Sequence, residues 1–273
     1  MKQKIKIAKV VPRVTCLSHD YKNENFNFPA IAAKFCTNPD NLDYILEHTD
    51  QEKDNELLKR VIDYRHLSVF RFEWWVFAIE NISRTCSHQL VRKTTGVCFA
   101  QESMRYTSQE NEYKIIIPES IKQEHSVTIN LNNETYTINF SQLANICFQF
   151  YKGLEDLGIP NEDARFALLE ASKTKILMGI NSQALLDLFA ERCCTCAQWE
   201  IRMIANEMLK ICKKYNPTIF KNAGPKCLNL GFCPESKHKW KQCKRTPRKI
   251  EDQSIEEQIE YHENKLKKLK GEI

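Results

Sequence analysis

Along this chain the apolar positions change their period several times, and each change predicts an element. Residues 27–36 (NFPAIAAKFC) read as the start of a short helix, and 39–65 as an amphipathic helical region rich in charge. The segment 70–80, FRFEWWVFAIE, is dense in aromatic and β-branched residues, which suits a buried strand. At 82–92, ISRTCSHQLVR, the spacing turns helical, with Ser83 placed to cap the first turn. A less regular stretch follows, and 114–118 (KIIIP) reads as a short strand. Residues 126–140 alternate polar and apolar on both sides of Asn132-Asn133, the pattern of a hairpin. It separates two chemically busy halves and reads as an insertion at about 124–141.

Helical spacing returns over 143–157, over 161–172, and over a long stretch from 181 to 215 with a possible break at a cysteine cluster. Residues 221–248 then become rich in Lys, Cys and Pro with few aliphatics. Over 254–270, Ile255, Ile259, Leu266 and Leu269 share one stripe of a terminal helix. The expected organisation is one domain over 1–220 and an appended extension over 221–273.

Composition narrows the class. At 273 residues, 42% hydrophobic and 27% charged, the chain can bury a substantial core. No apolar run approaches the roughly 18–20 residues that span a bilayer. The opening MKQKIKIAKVVPRV has no apolar stretch of the signal-peptide kind, so a cytoplasmic protein without a membrane partner is expected. Twelve cysteines in a chain of this size and setting are expected to be reduced thiols. A net charge of +5 suits small anions and argues little for nucleic acid. The seven glycines form no G-x-G-x-x-G or Walker loop, so phosphate recognition would fall to side chains and helix ends.

Two clusters carry candidate chemistry. In the first, His88-Gln89-Leu90-Val91-Arg92 precedes Phe99-Ala100-Gln101-Glu102-Ser103-Met104-Arg105-Tyr106. A helix running through Arg92 would gather His88, Gln89 and Arg92 on one face, and an extended backbone would point Ser103 and Arg105 the same way. Arginines, a serine and a glutamine suit a nucleotide phosphate and a pyrimidine edge. The plainer reading is a solvated charged helix and a polar loop. The second cluster holds Arg165, then Asn181-Ser182-Gln183, Asp187, Arg192 and Ala197-Gln198-Trp199-Glu200-Ile201-Arg202. Arg192 falls in an otherwise apolar helical stretch and needs an anionic or carbonyl partner there, for which Glu191 or Glu200 is the plain choice.

Cys193-Cys194-x-Cys196, Cys227, Cys233, His238 and Cys243 could supply soft ligands to zinc or an iron–sulfur cluster. Their spacing is looser than a zinc knuckle, and free thiols with no metal are the plainer reading. The lysines and arginines of 237–249 around Trp240 could touch nucleic acid, though such runs are usually solvated.

Taken together, Ser68, Ile82-Ser83-Arg84, His88-Gln89-Leu90-Val91-Arg92, Gln101-x-Ser103-x-Arg105-Tyr106, Ala164-Arg165, Asn181 and Arg192-x4-Ala197-Gln198-x-Glu200-Ile201-Arg202 resemble the flavin-dependent thymidylate synthases. Ala32-Ala33-Lys34-Phe35-Cys36 resembles that family's opening helix. The resemblance implies an α/β (α+β) fold, helices packed on a mostly antiparallel sheet, with a C-terminal Cys/Lys-rich extension added. It implies a homotetramer with active sites between subunits, methylating dUMP to dTMP with FAD, methylenetetrahydrofolate and NADPH. Gln89, Arg92, Gln101, Ser103, Arg105, Arg165 and Arg192 would hold the nucleotide, with Arg192 and Ser103 in catalytic roles. Ser68, Arg92, Lys93, Thr94, Gln101, Asn181, Gln183 and Asp187 would lie along the flavin. No cysteine nucleophile is implied.

The chain departs from the family pattern in places. The signature Arg-His-Arg stands as Arg92-Lys93-Thr94, the Glu-His pair after Ser68 as Arg71-Phe72, and an arginine beside the flavin as Gln183. An asparagine near the nucleotide stands as Ala100, and its following glutamate as Gln101. By this reading two cations near the flavin are missing, with Lys93 the only nearby replacement. The alternatives are a relative that modifies another pyrimidine nucleotide at C5, and a nucleotide- or flavin-binding protein that has lost catalysis and acts through its tail.

Overall fold

Alternating burial marks the central strand: Trp75, Phe77 and Ile79 are buried while Val76, Ala78 and Glu80 are partly covered. The computed structural model describes residues 6–7, 12–19, 27–107, 113–235, 243 and 254–270. Two compact units emerge, one from Met1–Leu17 and Val76–Gly179, the other from Ser18–Trp75 and Ile180–Ile273.

The strands belong chiefly to the first unit. They are β1 (Lys6–Ile7), β2 (Arg13–His19), β3 (Trp74–Ser83), β4 (Val97–Gln101), β5 (Lys114–Ile115), β6 (Ser126–Leu131), β7 (Glu134–Asn139) and β8 (Lys173–Asn181). A four-stranded sheet runs in the order β2-β3-β8-β4, β1 pairs in parallel with β5, and β6 pairs antiparallel with β7. The hairpin matches its sequence pattern: Asn132 and Asn133 take φ of 51° and 65°, the left-handed pair of a tight hairpin turn. Asn139 then caps helix α5 (Phe140–Asp156; in chain order it follows α1 to α4, placed below), its side chain and Gln142 each bonding the other's backbone N–H.

Three expectations are corrected here. The segment 70–80 is not one strand, because Leu67–Phe72 forms a 3-10 helix and β3 runs on to Ser83. Aromatic density signals burial in either conformation, so composition alone did not separate them. The helix over 161–172 is only α6 (Asn161–Ala164) and one 3-10 turn, Arg165–Ala167. Beyond it the carbonyls of Glu170, Ala171 and Ser172 accept from the N–H groups of Thr85, Ile116 and Arg84, which draws the chain out of helix. Strands β1, β2, β4 and β8 were not anticipated. In β8 the buried residues Thr174, Ile176, Met178 and Ile180 alternate with Lys173, Lys175 and Leu177, but Gly179 is buried as well and blurs the period.

A small core lies under the hairpin's helix, where Tyr113 stacks on Phe148 at 5.1 Å and Phe148 on Tyr151 at 6.1 Å. The Tyr113 hydroxyl bonds Ser172 Oγ at 2.7 Å and accepts from Leu169 N at 3.0 Å. This satisfies a polar group that burial would otherwise penalise. Gly179 lies close under Cys98: a Cβ there would sit 2.6 Å from the Cys98 sulfur, so that side chain would have to turn away.

The second unit is helical. Its elements are α1 (Phe28–Thr37), α2 (Leu42–Glu47), α3 (Gln51–Asp63), α7 (Ser182–Arg192), α8 (Trp199–Tyr215), α9 (Pro217–Phe220), α10 (Lys226–Leu230) and α11 (Ile255–Lys270). Asn27, Asn41 and Asp50 cap the first three through side-chain oxygens. The long stretch 181–215 breaks at the cysteine cluster, as its sequence suggested, into α7 and α8. Phe220 meets Trp75 and Phe189 edge-on at 5.6 and 6.0 Å.

Two of the carboxylates buried in this unit, Asp54 and Glu73, have polar partners. Lys34 Nζ lies 2.5 Å from Asp54, which is wholly buried. The Glu73 carboxylate accepts from Asn216 Nδ2 at 2.8 Å and from the Ser182 hydroxyl, whose oxygen takes the Trp75 indole N–H at 2.8 Å. Within residues 223–233, Ala223, Cys227 and Cys233 are buried in this unit. In α11, by contrast, Ile255, Ile259 and Leu266 are exposed, and the Leu269 side chain lies outside the described residues. Among the described residues no helix is long and apolar enough to cross a membrane.

Candidate functional site

In the first unit, Ser83 accepts from Cys86 N at 3.0 Å and starts helix α4 (Arg84–Leu90). That helix stops short of Arg92. Val91 is its C-cap, and Arg92 stands in the following turn, exposed. The expected single face of His88, Gln89 and Arg92 therefore does not extend as drawn. His88 turns to Glu170, 3.9 Å away, while Gln89 and Lys93 are half-buried and Thr94 is exposed. Gln101, at the end of β4, donates from Nε2 to Ser87 Oγ at 2.8 Å and to Thr174 Oγ1 at 3.3 Å. Its amide nitrogen is occupied within the protein, which leaves the side-chain carbonyl oxygen as the group it can offer.

Ser103 and Arg105 are not on extended backbone either. Met104–Tyr106 form a turn, closed by bonds from Tyr106 N and Thr107 N to the Ser103 carbonyl at 3.3 and 3.0 Å. The turn brings the two residues together differently, with Ser103 Oγ accepting from Arg105 N at 3.3 Å. Arg105 then reaches Glu162 Oε2 at 2.6 Å, while Arg165 Nε donates to the Glu162 carbonyl at 2.9 Å. Two guanidinium groups distant in sequence thus converge on one residue. The Arg105–Glu162 pair is about half exposed on both sides, 49% and 47%. Such a pair is worth on the order of 0–1 kcal/mol, so a phosphate can displace the carboxylate at small cost.

In the second unit, Ser68 is exposed on the 3-10 helix, and the same helix carries Arg71, whose Nε donates to Gln183 Oε1 at 2.6 Å. Arg71 thus sets a guanidinium directly against Gln183, the position at which the family resemblance expects an arginine. Asn181 is buried, and its Oδ1 caps α7 by accepting from Ala184 N at 2.9 Å. Asp187 lies exposed on α7 and Arg192 half-buried at its last position. Among the described residues no ion pair joins Arg192 to Glu191 or Glu200.

The following connection is shaped by the residues that complete the motif. Gln198 Oε1 caps α8 by accepting from Glu200 N and Ile201 N at 2.9 and 3.1 Å. Arg202 Nη1 donates to the carbonyls of Thr195 and Ala197 at 2.7 and 3.4 Å. Much of this motif therefore serves to hold the loop after Arg192.

That loop borders a cavity of about 210 Å³ lined by Arg192, Cys194, Cys196, Cys227, Cys233 and Cys243 among others. Burial pushes the Cys233 thiol above its usual value. No disulfide joins any of the twelve cysteines. His238 and, apart from Cys243, the basic run 237–249 lie outside the described residues. The sequence reading missed Arg71 and Glu162. The signal for Arg71 was a charge inside an aromatic run. Glu162 gave none, being one of several acidic residues on a helical turn.

The profile of the family described as "Thymidylate synthase complementing protein" matches residues 19–218. The chain is 37% identical over 207 residues to a flavin-dependent thymidylate synthase of Geobacter sulfurreducens, covering 76% of this chain and 84% of that one. It is 37% identical over 214 residues to the Clostridium tetani protein of the same name, with the same coverage. A Thermococcus onnurineus relative, also so named, is 39% identical over 192 residues, covering 67% of this chain and 74% of its own. The crystal structure of a UMP/dUMP methylase, PolB from Streptomyces cacaoi, bound with 5-Br dUMP, shares the fold. Its TM-score is 0.60 at 18% identity, over 78% of this chain and 94% of that one. With a family profile over most of its length, and relatives this similar over most of theirs, the chain belongs to the flavin-dependent thymidylate synthase family.

Proposed function

We propose that this protein methylates dUMP at C5 to give dTMP, with FAD as cofactor and methylenetetrahydrofolate and NADPH as co-substrates. The observation that carries the reading is the convergence of Ser103, Arg105 and Arg165 at Glu162: Arg105 pairs with its exposed carboxylate, Arg165 Nε donates to its backbone carbonyl, and the Ser103 hydroxyl oxygen accepts from the Arg105 backbone N–H. This is the donor set that a phosphate monoester dianion takes, since planar guanidinium forks match its oxygens. The nucleotide phosphate would replace the Glu162 carboxylate, with Gln89, Arg92 and the Gln101 carbonyl as further contacts. Arg192 would face the uracil edge and favour ionisation at N3, a role for a permanent cation.

The residues present fit a flavin. Arg71, Arg92 and Lys93 offer positive charge to a pyrophosphate, and Ser68, Thr94, Gln183 and Asp187 offer hydrogen-bonding groups. Asn181, with its oxygen committed to the helix cap, has only its amide N–H group to offer. Bound flavin supplies the hydride chemistry, while the protein orients and stabilises. No cysteine is needed as nucleophile. The catalytic domain is taken as 1–220 with 221–273 as an extension, the assembly as a homotetramer, and the compartment as the cytoplasm.

Complementation of a thymidine auxotroph tests the reading. Growth without thymidine, lost on Arg192→Ala, supports it. Absence of growth from an expressed, dUMP-binding protein overturns thymidylate synthesis and leaves the binding reading.

A further inference from the structure

Five of the twelve cysteines line one cavity in the second unit, arriving from separate stretches of chain. Cys194 and Cys196 come from the connection between α7 and α8. Cys227 comes from α10, Cys233 from the turn after it, and Cys243 from beyond. The ligand atoms of Cys194, Cys196 and Glu235 already lie within 4.8 Å of one another. A tetrahedral ion with metal–sulfur bonds of about 2.3 Å holds its sulfurs about 3.8 Å apart, so a small adjustment suffices. The Cys196 backbone N–H points at the Cys194 sulfur, 3.5 Å away. Hydrogen bonds of this kind orient metal-bound sulfurs. Pro225 and Pro234 stiffen the chain on either side of the α10 segment. All three grouped residues are half-buried, so an ion has a path in from solvent.

We propose that this cavity is a structural site for a thiophilic divalent ion of the zinc class. Cys194 and Cys196 are its fixed pair, and Cys227, Cys233, Cys243 and Glu235 supply the remaining positions. Thiolates with one carboxylate in a closed four-coordinate shell suit zinc over magnesium or calcium, which take oxygen ligands. Binding converts thiols to thiolates and releases their protons to solvent, with no change in oxidation state. The ion would tie residues 226–235 and Cys243 to the loop that begins directly after Arg192. The C-terminal segment would thereby fix the backbone that presents this arginine.

The test uses the full-length protein, purified and passed through EDTA before elemental analysis. The expected result is about one zinc per chain in the wild type. In Cys194→Ser/Cys196→Ser the content should fall at least about tenfold, while Cys16→Ser/Cys36→Ser retains it. A metal-free wild type, an iron–sulfur spectrum, or equal zinc in both double variants overturns the proposal. Should the first double variant fail to fold, cobalt(II) added to chelator-stripped wild type decides. Thiolate-to-cobalt charge transfer with tetrahedral visible bands supports the site, and their absence overturns it. None of these readouts depends on dUMP or flavin binding, so failure here leaves the proposed activity standing.

Discussion

Arg105 and Arg165 meet at Glu162 by different bonds, and the difference sets what each can lose. Arg105 pairs with the side chain, whereas Arg165 uses Nε on the backbone carbonyl and keeps its terminal nitrogens for a ligand. Arg165→Ala is expected to weaken dUMP binding by roughly 1.5–3 kcal/mol, the range for a hydrogen bond to a charged group. Isothermal calorimetry reads this directly, and unchanged affinity would remove Arg165 from the site. Arg71 carries the second residue-scale expectation. Its bond to Gln183 puts a cation on the 3-10 helix where the family resemblance expects one on α7. Arg71→Ala should weaken FAD binding by about 1–3 kcal/mol, read by fluorescence titration of apoprotein at fixed salt. An equal affinity would mean that Arg71 serves the surface and the exchange is not compensatory.

At the scale of elements, hydrogen bonding rather than periodicity decided several boundaries. The chain over 168–172 leaves the helix for a bend and turn, with the carbonyls of Glu170, Ala171 and Ser172 claimed by Thr85, Ile116 and Arg84, and the Leu169 N–H by the Tyr113 hydroxyl. Tyr113 thus joins segments 56 and 59 residues away. Burial raises its pKa above the ordinary 10.0. The sign follows from proton counting. Below pH 10 both folded and unfolded states carry the phenol proton, and the interaction is fully present. As pH rises above 10 the unfolded chain releases the proton first, so stability falls through the folded pKa. Denaturant melts across this range should show the loss, and Tyr113→Phe should flatten it while lowering stability at neutral pH by about 1 kcal/mol or more. A wild-type profile identical to that of Tyr113→Phe would sink this account. The hairpin's turn at Asn132-Asn133 and the helix caps at Asn27, Asn41, Asp50, Ser83 and Asn139 needed no such help, since each rests on residues within four positions of one another.

For the whole molecule, the proposed homotetramer has a direct measure. Light scattering on the eluting protein should give about four times the chain mass of 32.0 kDa, and a monomer would withdraw the assembly. The two compact units each draw on two separated stretches of chain, with β3 and β8 each crossing from one to the other. A linear reading that looks for composition shifts finds the change at Lys221, but it has no means of finding units that interleave.

What the sequence determined by itself is local or coded by residue type. The hairpin turn needs two residues tolerant of positive φ and has Asn132-Asn133. The break between α7 and α8, and the motif carrying Arg192, were legible in the same way. Only the tertiary structure decided that Arg71 meets Gln183 across 112 positions, that Arg105 meets Glu162, and that cysteines from three stretches share one cavity. The physical reason is that side-chain pairing over long separations depends on how backbone elements pack. Packing is driven by burial of apolar surface, which is nearly indifferent to which polar groups it carries together.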